Sequence, residues 1–121
     1  MAKVILIVDD SASLRQVVRM ALEKEGYAVL EAGNGNDALL LLDGRDISMV
    51  VSDVNMPGMS GVEFVSKMKT NAFYRFTPVL MLTTETTDEK KQAGKAAGAS
   101  GWMAKPFAPT SLVAAAKKLI K

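Results

Sequence analysis

Along these 121 residues, continuous apolar runs rich in β-branched side chains take turns with helical repeats. Val4 to Val8 (VILIV) is apolar throughout, the pattern of a strand covered on both faces. Leu14, Val17, Val18, Ala21 and Leu22 then recur at helical spacing, with Ser11 or Ser13 as N-cap and Gly26 as the stop. Tyr27 to Leu30 reads as a second strand. The turn-rich GNGN of Gly33 to Asn36 leads into ALLLL, Ala38 to Leu42, a helix whose apolar run calls for extensive burial and which Gly44 ends. Ser48 to Ser52 is a third strand. The loop DVNMPGMSG after it closes in a capping box, Ser60-x-x-Glu63, ahead of a helix that turns Val62, Val65 and Met68 inward. Pro78 to Leu82 is a fourth strand, with proline tolerated as its first residue. A second capping box, Thr86-x-x-Glu89, opens the helix DEKKQAGKAAGA. Its interior Gly94 costs roughly 1 kcal/mol relative to alanine, which predicts the most mobile helix of the set. Gly101 to Ala104 is a short fifth strand, and a last helix runs from Pro109 through Leu112, Val113, Ala116, Leu119 and Ile120. Lys117, Lys118 and Lys121 complement the dipole at its end.

Five strands alternating with about five helices predict a doubly wound α/β fold, a parallel sheet with helices on both faces. The length fits one domain, residues 1–121, with no repeat or linker. Ligands of such sheets bind beyond the C-terminal strand ends. Asp9 and Asp10 follow the first strand, Asp53 the third, Thr83 the fourth and Lys105 the fifth, so four segments converge on one edge.

Composition narrows what that edge can do. With 49% hydrophobic and 23% charged residues the chain reads as an ordinary globular protein. Neither cysteine nor histidine is present, which removes disulfides, thiolate sites and imidazole chemistry and leaves carboxylates, hydroxyls and amines. A net charge of +2 is too mild to predict a nucleic-acid partner. The start of the chain turns acidic too soon for a signal peptide and no stretch reaches membrane-spanning length, so a cytoplasmic location is expected.

Three carboxylates at one edge repel one another and are pushed toward protonation unless a cation sits among them. All the donors are oxygens, so a hard divalent ion suits them, and Mg²⁺, which keeps several waters, suits so few ligands. A metal beside a carboxylate and a lysine also stabilises charge on a transferring phosphoryl group. In that arrangement Asp53 is the nucleophile, Lys105 neutralises a phosphoryl oxygen and the Thr83 hydroxyl bonds another. In isolation each residue also has a plainer reading: Asp9 and Asp10 as helix caps, Asp53 as a turn residue, Thr83 as a loop hydroxyl, Lys105 as a solvated lysine.

VDDS at Val8 to Ser11, SDVNMPGMSG at Ser52 to Gly61, LTTE at Leu82 to Glu85 and GASGWMAKPF at Gly98 to Phe107 together resemble the receiver domain of two-component response regulators, in its stand-alone chemotaxis (CheY-like) type. The likeness covers the whole chain in order and leaves no output domain over. It implies a flavodoxin-like sheet of strand order 2-1-3-4-5. Asp53 then takes a phosphoryl group from a phosphohistidine on a sensor histidine kinase. Asp10, Asp53 and the Asn55 backbone carbonyl ligate Mg²⁺, with Asp9 holding a metal-bound water. The resemblance also implies a cis Lys105–Pro106 bond and a switch in which Thr83 is drawn in and the aromatic at Trp102 turns inward. Trp102 stands where the chemotaxis relatives carry tyrosine. Asn55 and Glu85 occupy two positions that help set the dephosphorylation rate.

The implied partners are a chemotaxis-type kinase, a downstream target such as a flagellar motor switch component, and a phosphatase, met by a monomer without nucleic acid or membrane. Lys90, Lys91 and Lys95, with Lys117 and Lys118, are either a solvated helix face or a basic patch for an acidic partner segment. Three functions compete: a messenger, a phosphate sink or relay, and an aspartate-nucleophile phosphatase acting on external substrates. The last is disfavoured, because the acidic pair is adjacent rather than D-x-D and the nucleophile follows the third strand. The expectation is a phosphoacceptor that is not otherwise an enzyme.

Overall fold

A computed structural model describes residues 2–84 and 88–120, leaving aside the side chains of 88–91. Five strands, β1 (Val4–Val8), β2 (Ala28–Ala32), β3 (Met49–Asp53), β4 (Val79–Thr83) and β5 (Gly101–Ala104), form one parallel sheet in the order 2-1-3-4-5. Between and after them lie α1 (Ala12–Lys24), α2 (Gly35–Leu41), α3 (Gly61–Lys69), α4 (Asp88–Ala97) and α5 (Pro109–Leu119).

The pleat divides the core into two layers. Ile5 and Ile7 of β1 join Met49, Val51, Leu80 and Leu82 under α1 and α5, which contribute Val18, Leu22, Leu112 and Ala116. Leu6 and Val8 join Val50, Val79 and Met81 on the other face, against Ala38 of α2 and Phe64, Val65 and Met68 of α3. Every central strand is thus apolar at successive positions because both its faces are covered.

The ends of the elements follow local chemistry. Ser11, rather than Ser13, caps α1, its hydroxyl accepting from Leu14 N, and Gly26 (φ +92°) turns the chain away after that helix. Ser60 caps α3 by accepting from Glu63 N at 3.1 Å. Asn34 caps α2, so that helix begins within the GNGN turn and not at Ala38. ALLLL is not extensively buried as its pattern predicts: Ala38 and Leu42 are buried, but Leu40 is 75% exposed, since α2 lies on one face of the sheet and its outer side meets solvent. Val17 of the α1 stripe is likewise exposed.

Two features were illegible in the pattern. Gly94 of α4 packs flat against the Trp102 ring, where a Cβ would lie 2.4 Å from Cζ3. The glycine in that helix is therefore a slot for the indole. Tyr74, in the segment between α3 and β4, is buried, and its hydroxyl accepts from Gly44 N (2.9 Å) and donates to the Arg45 carbonyl (2.8 Å). The capping box Thr86-x-x-Glu89 lies outside the described residues. No helix among the described residues is long and apolar enough to cross a membrane.

Candidate functional site

The C-terminal edge of the sheet gathers the reactive groups. Asp53 and Thr83 are the last residues of β3 and β4, inside the ladder, with Asp53 opposite Leu82 and Thr83 opposite Ala104. Strand pairing therefore fixes their backbones. Asp9 follows β1 and is tied to β2 through Asp9 N to the Ala32 carbonyl (3.1 Å). Asp9 and Thr83 are fully shielded, Asp53 nearly so, and Asp10 is exposed.

Burying two carboxylates together demands compensation. Lys105 supplies part of it: its Nζ lies 2.9 Å from Asp9 Oδ2 and 3.3 Å from Asp53 Oδ2. The other Asp9 oxygen accepts from Ser11 N at 2.9 Å, and Asp53 Oδ1 from Asn55 N at 3.4 Å. The lysine is aimed from the β5–α5 turn, where the Lys105–Pro106 bond is cis and Lys105 N donates to the Thr83 carbonyl at 2.7 Å. Burial and the neighbouring Asp9 carboxylate push the Asp53 carboxyl above its usual range, against the pull of Lys105. Burial opposes the charge on Lys105, yet its bonds to Asp9 and Asp53 hold the amine above its ordinary range.

One ammonium does not balance three carboxylates. Oxygens of Asp9, Asp10 and Asp53 lie within 4.8 Å of one another, close enough to share one ion. Hard anionic oxygens, an excess of negative charge and one exposed member fit a small hard cation such as Mg²⁺.

Four supporting residues escaped the sequence reading. Arg15 holds the β1–α1 turn by donating from Nη1 to the Asp9 carbonyl (2.5 Å) and from Nε to Glu31 Oε1 (3.1 Å). Arg19 bonds the second oxygen of Glu31 at 2.7 Å. Buried Ser52 donates to the Asp53 carbonyl at 3.0 Å. Gly61, the first residue of α3, lies against that same carbonyl, where a Cβ would sit 2.0 Å from the oxygen. Arg15 stands out as a charge amid an apolar helical stripe, and Ser52 and Gly61 are the two ends of the SDVNMPGMSG motif.

The model of the response regulator receiver domain family matches residues 5–117. The chain belongs to that family. Among solved structures the receiver domain is similar to the chemotaxis response regulator CheY4 of Vibrio cholerae, with 46% identity, 99% of this chain and 100% of that one covered, and a TM-score of 0.95. Among curated proteins it is similar to the phosphate regulon transcriptional regulatory protein PhoB of Pseudomonas aeruginosa, 36% identical over 98% of this chain and 52% of PhoB. The transcriptional regulatory protein ResD of Bacillus subtilis is 34% identical over 97% of this chain and 48% of its own length. The receiver domain thus spans about half the length of the curated relatives it matches.

Trp102 is partly buried against the α2/α3 layer, and its Nε1 is buried without a hydrogen-bond partner among the described residues. Asn55 is exposed at the start of the β3–α3 loop. Lys117, exposed on α5, pairs with Glu25 at 2.6 Å, and Lys95 lies in the last turn of α4. Lys118 is exposed on α5. Glu85 and the side chains of Lys90 and Lys91 lie outside the described residues.

Proposed function

We propose that this receiver domain is a Mg²⁺-dependent phosphoacceptor at Asp53 that signals by phosphorylation-dependent protein binding in a chemotaxis-type two-component system. One observation carries the reading: Asp9, Asp10 and Asp53 share a cation-sized space while Lys105 reaches both Asp9 and Asp53. An Asp53 oxygen attacks the phosphorus of a kinase phosphohistidine; the new P–O bond forms as the P–N bond breaks, and the electron pair of that bond stays on the imidazole. Asp9, Asp10 and Asp53, with the Asn55 carbonyl, would hold the Mg²⁺, which would supply charge neutralisation for the phosphoryl oxygens. Lys105 then exchanges its bond to Asp53 for one to a phosphoryl oxygen, and the Thr83 hydroxyl takes another.

Signalling follows from the same contacts. Lys105 directly follows β5 and Thr83 ends β4, so bonds they make only to the phosphorylated form bias whichever arrangement of these elements makes them best. The partners in this reading are a sensor histidine kinase and a downstream target such as a motor switch component. The 46% identity to CheY4 over nearly all of both chains supports the chemotaxis type over the transcriptional type.

The test is phosphoryl transfer from two purified, autophosphorylated kinases, one of the chemotaxis type and one of the phosphate-regulon type. The reading expects rapid transfer from the first, loss of transfer with excess chelator, and target binding that Lys105→Ala abolishes. Faster transfer from the second kinase overturns the chemotaxis assignment, and transfer unaffected by chelator overturns the metal.

A further inference from the structure

At the sheet edge opposite Asp53 the segment between α3 and β4 holds two phenylalanines in solvent, Phe73 60% exposed and Phe76 88%. Isolated exposed apolar residues are ordinary. These two rim an open hollow of about 670 Å³ whose floor includes Ile47, Pro78, Leu119 and Ile120. The segment that presents them is clamped. Buried Tyr74 between them bonds Gly44 and Arg45, and the ring of Phe73 meets Tyr74 edge-on at 5.0 Å. The Lys69 amine donates to the carbonyls of Arg75 (3.1 Å) and Thr77, and Asn71 Oδ1 accepts from Phe73 N at 2.9 Å. A surface held in place this way loses little entropy on binding.

From this we infer that the face is a self-complementary contact through which two copies of the chain pair about a two-fold axis, each inserting Phe76 into the other's hollow. The charges on the face support a second copy. Arg75, stacked 5.3 Å over Phe76, and Asp46, beside Ile47, are both exposed, and among the described residues neither has an ion-pair partner. Opposite signs flanking one hollow meet twice in an isologous pair, Arg75 of each copy against Asp46 of the other. A phenylalanine buries roughly 150–250 Å² when fully covered. The four rings therefore supply at most about half of the 1,200–2,000 Å² typical of a stable interface, and the pair is a weak one. This departs from the monomer that the resemblance implied. Because Asp53 lies at the far edge, the pairing is independent of phosphorylation.

Sedimentation equilibrium of the full chain, from micromolar to millimolar, tests it. Wild type shifts from monomer to dimer and Phe76→Ser remains monomeric, while both still accept a phosphoryl group from acetyl phosphate. Arg75→Asp and Asp46→Arg each weaken self-association by about tenfold or more, yet an equimolar mixture of the two pairs at least as well as wild type, because only the heterodimer has both opposite-charge contacts. A wild type that stays monomeric at millimolar concentration, association that survives Phe76→Ser, or a mixture no tighter than its components overturns the inference.

Discussion

Gly61→Ala separates two accounts of why glycine opens α3. Helix propensity favours alanine by up to about 1 kcal/mol. The structure says the opposite, since a Cβ at residue 61 would lie 2.0 Å from the Asp53 carbonyl oxygen, 2.9 Å from its carbon and 2.9 Å from Val54 Cα. A carbon and a carbonyl oxygen normally approach to about 3.3–3.6 Å, so the two backbone segments must part by roughly 1.3 Å. Both are main chain, and Gly61 N also donates to the Val54 carbonyl at 2.8 Å, so no flexible side chain can yield. Overpacking costs about 1–3 kcal/mol, and a backbone-on-backbone clash belongs at the upper end, about 3 kcal/mol. With a urea m-value of about 1.5 kcal/mol/M, the unfolding midpoint falls by about 2 M. Circular dichroism in a urea series reads the shift. Because the displaced carbonyl is that of the proposed nucleophile, labelling by acetyl phosphate falls as well. A midpoint equal to or above that of wild type refutes the close approach.

Other expectations follow from individual contacts. Asp53→Asn should raise thermal stability of the metal-free protein at neutral pH: a carboxyl raised above its unfolded value favours the fold when protonated, and that contribution is lost as pH rises through the folded value. The advantage of the variant should therefore close on acidification, which melts at several pH values check. Gly94→Ala should cost about 1 kcal/mol net, the roughly 1 kcal/mol gained in helix propensity being outweighed by overlap with Trp102, and should shift Trp102 fluorescence. Tyr74→Phe should cost about 1–2 kcal/mol by urea unfolding, because the Gly44 N–H and Arg45 carbonyl lose their shared hydroxyl.

The alternation of patterns was enough to read all ten elements, and β1 and β5 match their apolar runs residue for residue. The middle strands do not, and the error has one direction. β2, β3 and β4 each run one or two residues past the expected ends, to Ala32, Asp53 and Thr83. Hydropathy stops a strand where its side chains turn polar, whereas a parallel ladder continues for as long as its neighbour offers backbone partners. The polar residues cut off by the pattern, Glu31, Asp53 and Thr83, are held by that ladder. The convergence of Asp9, Asp10, Asp53, Thr83 and Lys105 was legible because each follows a recognisable strand. Arg15 and Ser52 were not, since the groups through which they reach the site are the backbone carbonyls of Asp9 and Asp53, which carry no signature in side-chain type. The slot at Gly94 was read as a helix defect for a similar reason: spacing along one helix says nothing about the ring packed across from it.

The central claim rests on where the phosphoryl group goes. Incubation with acetyl phosphate and Mg²⁺, followed by intact-mass and peptide mass spectrometry, should find one hydroxylamine-labile phosphoryl group on Asp53, absent from Asp53→Asn and absent when the metal is chelated. Undiminished labelling of Asp53→Asn, or no labelling of wild type under conditions that label another receiver domain, contradicts the account.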